Sequence, residues 1–421
     1  ERQRGLKLSL TPPRRLWVVL LIGGLALGLH VALALAWVPE FTEDSARYWN
    51  PSDPLGPFAF WSGRGPGQFT QALFFALPVR GALVVQGIVA GTLWALAAVE
   101  VQRHRAGLAP ALILVALSVS PWIVFWDNQV LTESVALAAI ALATCCAGLV
   151  VHGQQSSVIP LLLGSLLCVL SRPQLSPYVL VLLVAVTFLS PARVPKLVIA
   201  GVVAVALLGV VEVYWWGQAS SVSQAQARNR FVQRADVLGY VDNARDHGMP
   251  NCPELVSALA RGGTPAQISE SISECPKLEN WLASGEMSLS DELANPIPIL
   301  KRIFGPRYWA DYAFGEYSGT PAAQRNWGTA IDPVHVRWTN LALLLLVVGT
   351  WLWGAATSPR RVRMFVAVAS TGALGLAASI LLVDGAERWR HILPYLVVLC
   401  SVGIAARAVR VASPTDPTLE R

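Results

Sequence analysis

Two adjacent carboxylates, Glu43 and Asp44, followed by Arg47 and Tyr48, are the residues of this chain best suited to moving a proton. They come a few residues after the first long apolar segment. A carboxylate next to a low-dielectric phase has its charged form disfavoured, which raises its pKa toward the range a general base needs. On a helix, Asp44 would share a face with Arg47 or Tyr48. The same stretch, with Tyr48 and Trp49, also fits a polar loop carrying an interfacial aromatic belt. The residues alone leave both readings open.

Three further constellations could act with it. Trp61 to Gln68 reads Trp-Ser-Gly-Arg-Gly-Pro-Gly-Gln. Its glycines let backbone approach a ligand closely, and Arg64 could hold an anion. Gln68 opens an amphipathic stretch, 68–77, suited to a membrane surface. Next, Asp127-Asn128-Gln129 is followed by Thr132-Glu133-Ser134. Thr132 is a fitting helix cap and Glu133 suits the positive end of a helix dipole, so a structural role competes with a direct chemical one. Last, Arg172 of Ser171-Arg172-Pro173-Gln174 joins Glu387-Arg388-Trp389-Arg390-His391. Arginine at a bilayer boundary can hold a lipid phosphate by paired hydrogen bonds, or it can snorkel to headgroups.

The elements that must position these residues are apolar helices. The chain of 421 residues is 54% hydrophobic and 14% charged, with mean hydropathy +0.50; soluble domains carry about 25% charged residues. Apolar runs long enough to cross a bilayer recur. They predict an all-α polytopic membrane protein with about ten spans, at 16–38, 79–100, 107–125, 132–152, 157–175, 177–191, 196–216, 337–357, 364–383 and 391–409. In such a chain the net charge of +6 sets topology and does not point to nucleic acid. Arg2, Arg4, Lys7, Arg14 and Arg15 precede the first run, which places that end in the cytoplasm and makes the run a retained helix.

With ten spans, Arg103, Arg105, Arg193, Lys196, Arg360, Arg361, Arg363, Arg407 and Arg410 all fall on the cytoplasmic side, as does the C-terminus. The four constellations then share the opposite, extracytoplasmic side. Arg388 and Arg390 lie there against the positive-inside trend, which favours a phosphate-binding role for them.

Three parts follow. Residues 1–216 form an N-terminal transmembrane module with a first outer loop at 39–78. Residues 217–336 form an extracytoplasmic insertion with helical stretches near 220–240 and 253–285. Residues 337–421 form C-terminal spans and a tail. The insertion carries a polar run (Arg228, Arg230, Arg234, Asp242, Arg245, His247) that could line a groove, although such a run is more often a solvated helix face. Trp309 could stack on a sugar or sit at the interface. Cys252 and Cys275 lie on an oxidising side and are expected to form a disulfide. Cys145, Cys146, Cys168 and Cys400 lie in apolar spans and read as small buried hydrophobes. No CxxC or His/Cys spacing suggests a metal.

An acidic motif after the first helix, an Arg-Pro-containing loop before an amphipathic helix, and Thr-Glu-Ser opening a later helix occur in that order. Arg-Pro after the next helix and an arginine-rich turn before a Leu-Pro-Tyr final helix follow. This order resembles the GT-C superfamily of membrane glycosyltransferases, including actinobacterial mannosyl- and arabinofuranosyltransferases and protein O-mannosyltransferases. The resemblance covers most of 1–217 and 337–409; the insertion matches nothing in it. It implies a polyprenyl-phosphate sugar donor, with mannose or arabinofuranose favoured. It implies a glycan, glycolipid or protein acceptor and an active site on the outer face of a bacterial plasma membrane.

By position, the resemblance makes Asp44 the catalytic base, with Glu43 the alternative because the pair here reads Glu-Asp. It makes Arg388, Arg390 and His391 the donor-phosphate ligands, with Arg172 and Arg64 behind them. Tyr48, Arg47, Glu133, Gln68 and Trp309 are the substrate-binding candidates. Some relatives use a divalent metal; too few acids cluster here to require one. Alternatives are a lipid-linked glycan polymerase or ligase of another fold, which needs no carboxylate in the first loop; a lipid or solute transporter, which would place polar groups at midplane; and a scaffold, which would hold no prenyl phosphate.

Overall fold

The structure, a computed structural model, describes residues 13–36, 76–104, 108–120, 123, 133–172, 175–191, 198–208, 227–228, 230–232, 234–235, 239–263, 265–284, 333–383 and 393–407. Among them every regular element is a helix. These are α1 (Pro13–Ala36), α2 (Val79–Arg103), α3 (Leu108–Ser118), α4 (Glu133–Val151), α5 (Val158–Ser171), α6 (Ser176–Leu189), α7 (Val198–Leu208), α8 (Tyr240–Asp246), α9 (Pro253–Ala260), α10 (Pro265–Ser273), α11 (Pro276–Ser284), α12 (Pro333–Thr357), α13 (Arg360–Val383) and α14 (Leu393–Arg407). A single 3₁₀ turn, Gln155–Ser157, leads into α5. The all-α expectation holds for this part of the chain.

Proline places many of the starts. Pro13, Pro253, Pro265, Pro276 and Pro333 each open a helix, where the missing N–H costs nothing and the fixed φ is already helical. The same chemistry divides 253–285. Gly262 at φ +68° ends α9, and Pro265 and Pro276 begin two more helices, so three short helices replace one long one. Pro173 acts from the other side. It disfavours the helical region for the residue before it, and Arg172 leaves α5 at φ −144°, ψ 84°.

Among the described residues two helices, α2 and α4, are long and apolar enough to cross a membrane. Several of the other expected spans are shorter as helices: 107–125 holds the 11-residue α3, and 157–175 and 177–191 hold the 14-residue α5 and α6.

α4 is the axis of the main core. All of its residues are buried, enclosed by α2, α5, α6, α13 and α14. α1 packs on α2, α12 on α14, and α13 on α6 and α14. The helices approach through small residues. A Cβ on Gly164 of α5 would stand 2.9 Å from the Ala139 carbonyl oxygen and 2.9 Å from the Ala143 nitrogen of α4, a backbone approach only glycine allows. Small residues at helix crossings are the packing mode of helices in lipid, where burial of apolar area gives no advantage of one partner over another. The outward faces are apolar too. Phe188 is 81% exposed, and Leu21, Ile159, Leu345 and Leu374 are likewise exposed.

A second, smaller core lies in the insertion. Phe231, Tyr240, Leu255, Ile272, Leu278 and Trp281 are buried together between α8, α9, α10, α11 and residues 230–235. Phe231 meets Trp281 edge-on, with ring centroids 6.3 Å apart.

Candidate functional site

α4 and α5 run antiparallel and are joined by a short turn. The first residue of α4, Glu133, therefore lies at the same end of the bundle as the last turn of α5. There Arg172 meets it: Nη1 donates to Glu133 Oε1 at 3.2 Å, across 39 residues of sequence. Both side chains are buried. Each also sits where a helix dipole favours its charge, the carboxylate at the start of α4 and the guanidinium at the end of α5. The backbone fixes Arg172 from both sides. Its N–H donates to Cys168 O at 2.8 Å and its carbonyl accepts from Leu175 N at 2.9 Å. Just before it, the Ser171 hydroxyl is wholly buried and has no hydrogen-bond partner among the described residues.

Glu133 and Arg172, from two constellations read separately in the sequence, thus meet at one place. Its chemistry is that of a cation beside an anion at the end of an apolar bundle, an arrangement able to orient a phosphate. Glu133, expected to contact substrate, contacts Arg172. Asp44, Glu43, Arg47, Tyr48, Arg64, Gln68, Trp309, Arg388, Arg390 and His391 lie outside the described residues, as does Thr132.

The other end of the bundle holds a cluster that the sequence reading passed over. Glu100, in the last turn of α2, is buried. It accepts from Ser157 Oγ at 2.8 Å and from Arg103 Nη1 at 3.1 Å. His104 Nε2 stands 3.3 Å from Ser157 Oγ and 3.7 Å from Glu100 Oε2. At about 1.5 Å per residue, the 19 residues of α4 put roughly 27 Å between the two ends. A serine, a histidine and a carboxylate invite comparison with a hydrolytic triad. The geometry excludes it: the carboxylate accepts the serine hydrogen bond directly instead of orienting the far nitrogen of the imidazole, and Ser157 is buried. The cluster ties α2 to the turn before α5. The signal available in the sequence was a carboxylate with a base three and four residues later.

In the insertion the polar run is used for assembly. Arg228 donates to Glu279 Oε1 at 2.9 Å, to Ser273 Oγ at 2.7 Å and to Ser269 O at 3.1 Å, pinning α10 and α11. Arg230 and Arg234 are buried. His247 Nδ1 bonds Asn243 O at 2.8 Å, and Arg245 pairs with Asp242 within α8.

Cys252, at the start of α9, and Cys275, between α10 and α11, are held as thiols. Their sulfurs and a Glu254 carboxylate oxygen lie within 4.8 Å of one another. Burial beside the second thiol pushes Cys252 up to about 12. Two thiols and a carboxylate this close could also hold a soft divalent ion such as zinc, a ligand set that spacing did not reveal. Cys145, Cys146, Cys168 and Cys400 are buried in the apolar helices as expected.

Comparison of the chain with family models, with curated proteins and with solved structures finds no match.

Proposed function

We propose that this chain is a multi-pass plasma-membrane glycosyltransferase of GT-C type. It moves a sugar from a polyprenyl-phosphate donor to an acceptor on the extracytoplasmic side. The observation that carries the reading is the Glu133–Arg172 pair: the residues of two separated motifs converge, buried, at one end of a wholly buried helix. Support for a lipid setting comes from the apolar outward faces of α1, α5, α6, α12 and α13 and from crossings built on glycine and alanine. Among the described residues of the apolar helices the carboxylates, Glu100 and Glu133, stand at helix ends, as do Arg80, Arg103, Arg172 and Arg407. A transporter would gather such groups at midplane on broken helices.

In the reaction, the acceptor hydroxyl oxygen bonds the anomeric carbon as the bond from that carbon to the phosphate oxygen breaks. The electron pair leaves with the prenyl phosphate, and the hydroxyl proton passes to Asp44, or to Glu43. Arg388, Arg390, His391, Arg172 and Arg64 offset the negative charge that develops on the phosphate. Displacement in one step inverts the anomeric centre. Neither the base nor the clamp requires a metal.

The test is transfer from a radiolabelled polyprenyl-phosphate mannose or arabinofuranose by purified protein in detergent, with an envelope extract as acceptor. Asp44→Asn should fold and lose transfer. If Asp44→Asn is active and Glu43→Gln is dead, Glu43 is the base. If both variants keep wild-type activity, the enzyme reading of the first outer loop fails.

A further inference from the structure

We infer that Glu133 is not a substrate ligand but a positioning residue that sets the Arg172 guanidinium for the donor phosphate. The inference rests on the glycosyltransferase reading above and deepens it.

Three observations lead to it. First, Pro173 takes Arg172 out of α5, so the helix no longer dictates where its long side chain goes. An arginine at the end of an apolar helix ordinarily snorkels to the headgroups. This one stays 8% exposed, and the 3.2 Å bond to Glu133 is a contact that opposes snorkelling. Second, Glu133 is the first residue of α4, which is buried along its whole length. Third, the pair is a poor device for stability alone. Desolvating two charges costs more than their attraction usually returns, and apolar residues of the same volume commonly do better. Ionisable groups buried in an apolar helix bundle are costly, and those that persist mark what the bundle binds or moves. The wholly buried Ser171 hydroxyl next to Arg172, with no hydrogen-bond partner among the described residues, is a further polar group at this point.

A positioning role and simple charge neutralisation predict opposite signs. If Glu133 only neutralised Arg172, removing its charge would tighten phosphate binding. If it positions Arg172, removing the charge weakens binding, because the guanidinium is released toward the headgroups.

The experiment is binding of a polyprenyl monophosphate to the full chain in detergent, with donor KM and kcat from the transfer assay. Inorganic phosphate and phosphatidylglycerol are run in parallel. Expected for Glu133→Gln is binding weaker by about tenfold, a donor KM raised to match and kcat changed less. Should Glu133→Gln fold poorly, Glu133→Asp keeps the charge but shortens its reach, and is expected to weaken donor binding while melting near wild type. The double exchange Glu133→Arg with Arg172→Glu restores the pair from the wrong side, and should regain thermal stability but not donor affinity.

Unchanged or tighter binding in Glu133→Gln or Glu133→Asp overturns the inference and leaves the glycosyltransferase reading standing. Full recovery of binding in the double exchange does the same, since a merely structural pair would be rescued. Equal affinity for phosphatidylglycerol makes the site a headgroup anchor and overturns it too. A wild-type protein that binds no polyprenyl phosphate overturns both readings together.

Discussion

Gly354 of α12 and Gly403 of α14 cross backbone to backbone: a Cβ on Gly354 would lie 2.7 Å from the Gly403 Cα. A Cβ on Gly403 would in turn press on Thr350 and Trp351, 2.7 Å from the Trp351 Cα. No flexible side chain is available there to move aside. Gly403→Ala should therefore destabilise the bundle by roughly 1–3 kcal/mol, the usual cost of forcing backbone apart. Gly349 on the same helix α12 faces nothing within 4 Å. Gly349→Ala should be neutral or stabilise by up to about 1 kcal/mol. Thermal unfolding of both variants in the same detergent compares them; equal losses would show that the crossing is not tight.

At the end opposite Arg172, Ser157 donates to the buried Glu100 carboxylate at 2.8 Å. Ser157→Ala removes one donor from an ion that cannot reach water, a loss of about 1–3 kcal/mol. Glu100→Gln with Ser157→Ala should lose less than the sum of the single changes, because both act on one contact. Melting temperatures of the three variants give the coupling. Simple addition would mean that the serine and the carboxylate do not cooperate.

Cys252 and Cys275 should be joined in protein taken from an oxidising compartment, giving intact mass with a disulfide and no alkylation. Cys275→Ser should then cost about 2–4 kcal/mol of stability in the insertion. In reduced protein the sign of the pH dependence follows from Cys252. Its folded thiol is held up near 12 by burial, while an unfolded thiol ionises near ~8.5. Above about pH 9 the unfolded chain has released a proton that the folded one retains, so stability is fully present below that range and falls as pH rises through it. Alkylation at pH 8 should be slow for the same reason. Zinc added to reduced protein tests the Cys252, Glu254, Cys275 ligand set by displacement from a coloured chelator.

Trp281 closes the small core of the insertion, with its ring edge-on to Phe231 and its indole N–H donating to His247 O at 3.2 Å. Trp281→Ala should cost about 3–5 kcal/mol, and Trp281→Phe about 1 kcal/mol for the lost hydrogen bond. Because this core is distinct from the one around α4, hydrogen exchange should quicken in α8 to α11 and stay unchanged in α4. Loss of protection in α4 as well would mean that the two cores unfold as one.

The sequence by itself determined the helix boundaries that proline marks, because that signal is local. Proline fixes its own φ and disfavours a helical residue before it, so Pro253, Pro265 and Pro276 start helices and Pro173 ends α5 wherever the rest of the chain goes. It also determined that the elements are apolar helices, since long runs of leucine, alanine and valine carry that information residue by residue. What it could not settle was which helix is central. α1, α4 and α6 are apolar all round, so no stripe marks a buried face. Only the packed structure buries every residue of α4 while leaving Leu21 of α1 and Phe188 of α6 outside.

Partner choice was decided at the same level. Glu133 read as a partner of the helix dipole or a ligand, Arg172 as a phosphate clamp or a snorkelling end, and each reading was locally sound. That they hold each other depends on two antiparallel helices bringing position 133 beside position 172. The bond of Glu100 with Ser157 and the crossing of Gly354 with Gly403 are of the same kind. Contacts between residues far apart in sequence are set by close packing of the whole bundle. Packing is a property of the assembled volume, and no window of the chain contains it.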